Sequence, residues 1–448
     1  MRTVKAAAVV AIVPLLMVGA FQILRADPFV ASDPGVRRGP ADAGDNLAGL
    51  TASQQAFFDQ SRIQFEEADG AEEGLGPRFN LDSCVGCHSQ PASGGSSPFV
   101  NPQVAVATAL GATNTVPSFI TLHGPVREAR FTRNANGSAD GGVHSLFVVS
   151  GRSDAPGCDA VQEDFEAQVA ANNIIFRIPT PTFGAGLIEM IPDQAIEANR
   201  TAYSFGKAAF GISGRANHNG NDGTIARFGW KAQNKSLLLF AGEAYNVEMG
   251  ITNDNFQTER DENPTCQYAP VPNTMTNTDQ QNHVEIISAI EQFGFFMRFL
   301  APPRPSPDTP GGATSIALGR ETFNGVGCVL CHTPRLTTGD TAIAALAYKR
   351  VNLFSDLLLH NMGPGLADDV SQGLAKGDEF RSAPLWGLGQ RIFFLHDGRT
   401  TDLIEAIYQH RSAANLKYRA SEANTSVNAF DVLGEYSKQN LLNFLRSR

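Results

Sequence analysis

Two five-residue stretches, CVGCH at 84–88 and CVLCH at 328–332, constrain this 448-residue chain more than anything else in it, and they use four of its six cysteines. Cys-x-x-Cys-His is the attachment pattern of c-type haem. Two intervening residues hold both thiols on one turn of backbone, from which they add across the haem vinyl groups as thioethers. The His that follows then lies under the iron and supplies an axial nitrogen. The pattern predicts two such groups, one on Cys84, Cys87 and His88 and one on Cys328, Cys331 and His332. A redox dithiol or half of a zinc site also uses C-x-x-C, but neither needs a His closing both copies.

Covalent haem attachment normally happens outside the cytoplasm, so this reading requires an export signal. Residues 1–25 have the pattern of a signal peptide or N-terminal anchor: Arg2 and Lys5 precede the apolar run AAAVVAIVPLLMVGAFQIL at 6–24, and Val18-Gly19-Ala20 offers a small-residue cleavage site. The run approaches the roughly 20 residues that span a bilayer. A membrane association therefore follows only if the segment is retained, and the expected location is the periplasm. A formal net charge of −10 without a basic run argues against nucleic acid as a partner. Such a surface suits a basic electron-donor protein. Cys158 and Cys266 remain as candidates for one disulfide in an oxidising compartment.

The roughly 420 residues after the signal exceed one typical core and predict two domains or more. ASQQAFFDQSRIQFEEA (52–68) reads as a helix leading into the first motif, and PASGGSSP (91–98) and NANGSADGG (134–142) read as loops. Over 281–300, Val284, Ile287, Ile290, Phe293, Met297 and Leu300 recur three or four apart, which predicts an amphipathic helix. APPRPSPDTPGG (301–312) is too rich in proline for a helix or central strand and reads as a stiff linker. Beyond it, Gly319 and Phe323 share a helical face just before the second motif. The expected architecture is mainly α, with two cytochrome c-like haem domains (45–300 and 313–448), long irregular loops and little β.

Seven histidines remain as candidates for a second axial ligand. In FLHDGRTTDLIEAIYQH (394–410), Thr401 can cap a helix that places Leu403, Ala406, Ile407 and His410 on one face. A lone His on such a face is usually a hydrogen-bonded core residue, but next to a haem motif it becomes a candidate ligand. His360 and Met362, in LLLHNMG, are rivals for that place.

The motifs GPRFNLDSCVGCH, PTPTFGAGLIEMIPD, RFGWKA, EMGIT, GCVLCHTP, FSDLLLHNMGPGLAD, RSAPLWGLG and FLHDGR occur in this order over roughly residues 50–448. In them the chain resembles the di-haem oxidoreductase family, whose members are labelled peroxidases or "thiol oxidoreductases". That family is remotely related to bacterial di-haem cytochrome c peroxidases and to MauG-type enzymes. In those relatives a His-Asp-Gly motif precedes a helix ending in the distal ligand of the second haem. The resemblance implies His332 and His410 as the ligand pair, with His396 orienting the haem surroundings. His at 410, where peroxidases have Met and the MauG type has Tyr, implies a lower potential. The resemblance also implies Glu248 as the acid/base group at the first haem; the residues themselves offer Glu189, in GLIEMIPD, as an alternative. It implies an aromatic conduit between the haems, with Trp230 two residues from the matching position, which Phe228 occupies. Arg227 and Arg381 are candidates for the haem propionates. The loop residue His218 is a candidate for a swinging ligand to the first iron. Calcium is the one further cofactor considered, although no acidic loop stands out.

These readings lead to an exported di-haem c oxidoreductase of the peroxidase kind. Its first haem would react with hydrogen peroxide or a related oxidant, and its second would relay electrons from a cytochrome or cupredoxin partner. The alternatives are an electron-transfer cytochrome without its own substrate, a MauG-like oxidase of a partner protein and a thiol-disulfide enzyme.

Overall fold

The helix before each haem motif carries a phenylalanine that packs toward the motif's histidine. Helix α1 (Ala52–Glu66) is closed at its start by a reciprocal cap, in which the Thr51 hydroxyl accepts from the Gln54 N–H and the Gln54 side chain accepts from the Thr51 N–H. Its Phe58 and Phe65 pack on Phe296 with ring centroids 5.3 and 4.6 Å apart, and Phe65 lies 6.2 Å from His88. The same arrangement recurs in the second half, where Phe323 packs on Phe444 at 5.4 Å and lies 6.5 Å from His332. The computed structural model in which these contacts occur describes residues 29–38, 41–261, 263–279 and 284–448. The signal or anchor segment expected at 1–25 lies outside the described residues.

The further helices that matter for the site are α2 (Leu237–Met249), α3 (Ala289–Phe299), α4 (Gly312–Gly325), α5 (Leu403–Gln409) and α6 (Glu435–Arg446). Helix α3 packs on α1 through Phe296, and α4 packs on α6 through Phe323. The latter pair meets closely at Gly319, where an added Cβ would come 1.9 Å from the carbonyl oxygen of Asn440, so only glycine fits. Among the described residues the strands are two to four residues long, and the protein is mainly α with little β. The largest sheet has three strands, β1 (Glu128–Phe131), β2 (Val143–His144) and β3 (Ile174–Arg177), in the order β2-β1-β3, and it sets Glu128 opposite Arg177. Ala31–Arg448 form one body. Within it, one apolar cluster includes Phe58, Phe65 and Phe296 and another includes Phe323, Phe354 and Phe444.

The structure differs from the sequence expectation in two helices. The helix expected over 281–300 begins at Ala289, and Val284–Ile286 pair antiparallel with Asn277–Asp279. The β-branched Val284, Ile286 and Ile287 favour extended backbone. The stripe beyond them is as expected, with Ile290, Phe293 and Met297 buried. Helix α5 is capped not by Thr401 but by Asp402, whose carboxylate accepts from Ile404 N at 2.7 Å and Glu405 N at 2.9 Å. A carboxylate at this position also meets the positive end of the helix.

The proline-rich stretch carries no helix or strand before Gly312, and its backbone is tied by Ala301 N–H to Asp45 O and Ser306 N–H to Ser447 O, both at 2.9 Å. Cys158 and Cys266, 108 residues apart, form a disulfide. Closing a loop of that length restricts the unfolded chain. Among the described residues no helix is long and apolar enough to cross a membrane.

Candidate functional site

Each motif opens onto its own cavity. The second motif lines one of about 230 Å³, walled by apolar side chains that include Phe323, Phe394, Leu403 and Phe430. Cys328, Cys331 and His332 line it, and so does His410, which the C-terminal end of α5 brings there. His332 Nδ1 donates to Phe354 O at 3.0 Å and His410 Nδ1 donates to Ala406 O at 2.7 Å. A carbonyl can only accept, so Nδ1 carries the hydrogen in both rings and Nε2 keeps its lone pair. Burial pushes the His332 pKa down to about 4, and it also lowers that of His410. Two neutral imidazoles in one apolar cavity are the donor set that a bis-His haem requires.

Two arginines complete the fit. Arg381 and Arg391 line this cavity, and burial pushes both down to about 10. Among the described residues neither forms an ion pair with a carboxylate. Arg381 donates to Gly229 O at 3.1 Å and Ser382 O at 3.2 Å, while Nη2 of Arg391 is buried without a hydrogen-bond partner. Uncompensated buried guanidinium groups call for anions, and a porphyrin brings two propionates. His396 lines the same cavity, stacked on Phe380 at 4.4 Å, and burial lowers its pKa to about 4.

The rival ligands separate. Met362 lies on the cavity wall beside Leu366 and Phe380. His360 lies there too, but Asp356 Oδ2 stands 3.0 Å from its Nε2 and Glu422 Oε2 stands 2.9 Å from its Nδ1. Burial works against its charge, yet its surroundings hold the pKa well above the ordinary value. An imidazolium with both nitrogens engaged has no lone pair for iron, which removes His360 as a ligand.

The first motif lines a smaller cavity of about 120 Å³ through Cys87 and His88. His88 Nδ1 donates to Gly95 O at 2.9 Å, and burial depresses its pKa. Among the residues lining this cavity His88 is the one imidazole, and there is no methionine. Glu248 lines it from α2 and Glu128 from β1. The two carboxyls are hydrogen-bonded to each other; burial and Glu128 push Glu248 well up, while Arg130 outweighs burial to hold Glu128 well below the carboxylate range. Asn80 Nδ2 donates to Glu248 Oε2 at 2.5 Å and Arg130 Nε to Glu128 Oε1 at 2.6 Å. A hydrogen bond between two carboxyls needs a proton on one of them, and the opposite shifts put it on Glu248. Arg127 Nε and Gln233 Oε1, both on residues lining this cavity, are buried without partners.

Trp230 lines both cavities. Its Nε1 donates to Ile178 O at 2.8 Å, His396 approaches its ring edge-on at 6.4 Å, and Arg391 lies over it at 5.5 Å. Phe228 lines neither cavity and stacks on Phe240 at 6.2 Å.

Three other candidates are elsewhere. Glu189 accepts from Leu237 N at 2.8 Å at the start of α2 and pairs with Arg298 at 2.8 Å, so it holds two helices together. Arg227 pairs with Asp193 and donates to Ile191 O, which leaves it nothing for a propionate. His218 is exposed, with Nδ1 2.8 Å from Gly223 O. Among the described residues no three or more His, Cys, Asp and Glu side chains converge on a metal site. The four motif cysteines are free of disulfides. Burial holds the Cys84 and Cys87 thiols well above their ordinary range, which is the opposite of what a thiol-disulfide nucleophile needs.

Sequence reasoning missed Glu128, Asn80 and Arg391. Glu128 and Arg130 stand two apart on one strand and so on one face, which was the available signal. Nothing local marks Asn80 or Arg391.

A mainly helical protein with two Cys-x-x-Cys-His turns, each presenting a neutral imidazole to a buried cavity, is a di-haem redox protein by class. The chain belongs to the family described as "Di-haem oxidoreductase, putative peroxidase", which matches residues 128–448. The match begins after the first motif. The family makes the chain an oxidoreductase with haem as its cofactor. No curated protein matches the chain. Among solved structures, hydrazine synthase of Kuenenia stuttgartiensis is similar at 12% identity and a TM-score of 0.37, covering 99% of this chain and 100% of that one. A MauG-like protein associated with microbial copper homeostasis is similar at 17% identity and a TM-score of 0.31, covering 60% of this chain and 90% of that one.

Proposed function

We propose that the chain is an exported peroxidase-like enzyme that carries two c-type haems, reduces hydrogen peroxide or a related oxidant in the first cavity and takes electrons through the second. The observation that carries this reading is the contrast between the cavities. One has two neutral imidazoles, His332 and His410, which would leave a bound haem iron no free position. The other has His88 alone and faces a carboxyl pair.

When bound, the haem irons supply the electrons and the redox chemistry of O–O cleavage. The chain supplies the protons. Reduction of hydrogen peroxide takes two electrons and two protons and yields two waters. Cleavage also requires a proton to move from the inner to the outer oxygen. Glu248 holds a proton and Glu128 a vacant acceptor site, so the pair can receive one and deliver one. Asn80 orients Glu248, and Arg130 keeps Glu128 ionised. Trp230, on the wall of both cavities, is the aromatic group between them. The N-terminal pattern at 1–25 supports export.

Steady-state peroxide turnover with a reduced cytochrome as donor tests the proposal. Glu248→Gln keeps the shape and loses the acid, and turnover should fall about 10²-fold or more. No turnover in the wild type, or an undiminished rate in the variant, removes the peroxidase mechanism.

A further inference from the structure

On a chain with a net charge of −10, one cleft is strongly basic. It has a volume of about 310 Å³ and is lined by Arg304, Arg320, Arg335, Arg350 and Arg448, with no carboxylate side chain among its lining residues. These arginines come from separate parts of the chain: the proline-rich stretch (Arg304), helix α4 (Arg320), the residue before the strand Leu336–Thr337 (Arg335), its partner strand Arg350–Val351 (Arg350) and the segment after α6 (Arg448). Arg304, Arg320, Arg335 and Arg350 are exposed. Among the described residues none of the five forms an ion pair. Arg335 Nε donates instead to Asn352 Oδ1 at 2.8 Å, and Arg448 Nη2 donates to Ser447 Oγ at 2.9 Å. Twelve other arginines of the described chain form ion pairs with carboxylates and eight do not; what sets these five apart is that they line one cleft together with no acidic side chain among them.

The floor of the cleft links it to the second cavity. Phe354 and Trp386 are buried there. Arg320 and Arg448 lie over the Phe354 ring at 5.9 and 5.6 Å. The carbonyl oxygen of that same Phe354 accepts the hydrogen of His332 Nδ1 at 3.0 Å. One residue therefore touches both the arginine rim and the axial histidine of the second motif.

We propose that this cleft is the docking face for an electron-carrier protein with an acidic surface, and that electrons enter the second cavity there by way of Phe354 and His332. The proposal rests on the reading of the second haem as the relay. At each encounter the reduced carrier loses one electron, and the iron held by His332 is reduced by one. The exposed rim and aromatic floor are the composition of a protein interface, in which Arg and aromatic residues are enriched. A positive patch on an acidic protein steers an acidic partner to this face and repels it from the rest. A basic carrier, which net charge alone would favour, is repelled here.

The test uses two readouts on the holoprotein and two charge-matched variants, Arg335→Glu/Arg350→Glu in the cleft and Arg133→Glu/Arg419→Glu on exposed sites outside it. The first readout is binding of a fluorescein-labelled deca-glutamate peptide at low salt, followed by anisotropy. Binding should weaken with salt, drop at least about tenfold in the cleft variant and stay within about twofold in the control. The second readout is stopped-flow oxidation of the reduced second haem by hexacyanoferrate(III), an anion, and by tris(phenanthroline)cobalt(III), a cation. The anion's rate should fall as ionic strength rises in the wild type and in the control, and this dependence should vanish or invert in the cleft variant. Equal peptide loss in both variants, or a hexacyanoferrate rate that rises with ionic strength as the net charge alone dictates, overturns the docking face. Slow oxidation of the second haem by both reagents overturns the relay reading, and the docking proposal with it.

Discussion

His88 and His332 are held alike, each donating Nδ1–H to a backbone carbonyl, Gly95 O at 2.9 Å and Phe354 O at 3.0 Å, and each lies edge-on or tilted to a phenylalanine from the preceding helix. The walls around them diverge. The second cavity adds a neutral imidazole and two unpaired guanidinium groups, while the first adds two carboxyls that share a proton. On the proposed reading a repeated anchor would fix each haem, and the residues around it would decide whether its iron is closed or open.

The largest effect expected is loss of one cofactor at a time. Cys84→Ala/Cys87→Ala and Cys328→Ala/Cys331→Ala should each halve the covalent haem in a pyridine haemochrome assay. Peroxide turnover should be lost in either case, because one variant lacks the reaction site and the other its electron supply. Full haem content in either double variant would break the assignment of one group to each motif.

Next is the pH dependence of the carboxyl pair. Burial and the neighbouring Glu128 raise the Glu248 pKa, so its proton is kept to higher pH than on an ordinary carboxyl and is lost as pH rises through that raised value. The peroxide rate should fall along the same limb, and in Glu128→Gln the limb should move to lower pH as the like charge is removed. An unmoved limb would assign it to another group.

A stability effect of about 3 kcal/mol is expected from His360→Gln, which leaves Asp356 and Glu422 without their buried cation. The sign follows from both partners. The pKa of His360 is raised above 6.5, so its contribution is complete below that value and is lost as pH rises through the folded one. Glu422 is lowered from 4.5 to about 2, so its contribution is present above 4.5 and is lost as pH falls toward 2. Chemical denaturation should therefore show the largest difference between wild type and variant near pH 5 to 6, where the two windows overlap. A smaller effect, roughly a few-fold, is expected on electron transfer between the cavities in Trp230→Phe, which keeps an aromatic ring and loses the hydrogen bond to Ile178 O.

The anchors were legible because their chemistry is local: Cys-x-x-Cys-His occupies five consecutive residues, and α1 and the inward stripe of α3 follow from a 3.6-residue period. The place of His410 on the wall of the second cavity was legible as a position on a helical face. What the sequence did not disclose depends on tertiary approach. Glu128 meets Glu248 across 120 residues because β1 and α2 converge on one cavity. Arg391 is marked only by having no carboxylate partner once buried, with its Nη2 unsatisfied. His360 looked like a ligand until Asp356 and Glu422 were seen on its two nitrogens. Glu189 and Arg227 looked functional because they are charged residues in distinctive motifs, but each is engaged in holding the backbone of neighbouring elements.

The central claim is that one iron is closed by two histidines and the other is open before a carboxyl pair. Low-temperature EPR of the ferric protein, with and without cyanide, tests it most directly. The account predicts a low-spin signal of bis-imidazole type that cyanide leaves unchanged and that His410→Met abolishes, together with a second signal that cyanide converts. Two low-spin signals both indifferent to cyanide, or two that both shift, would contradict it.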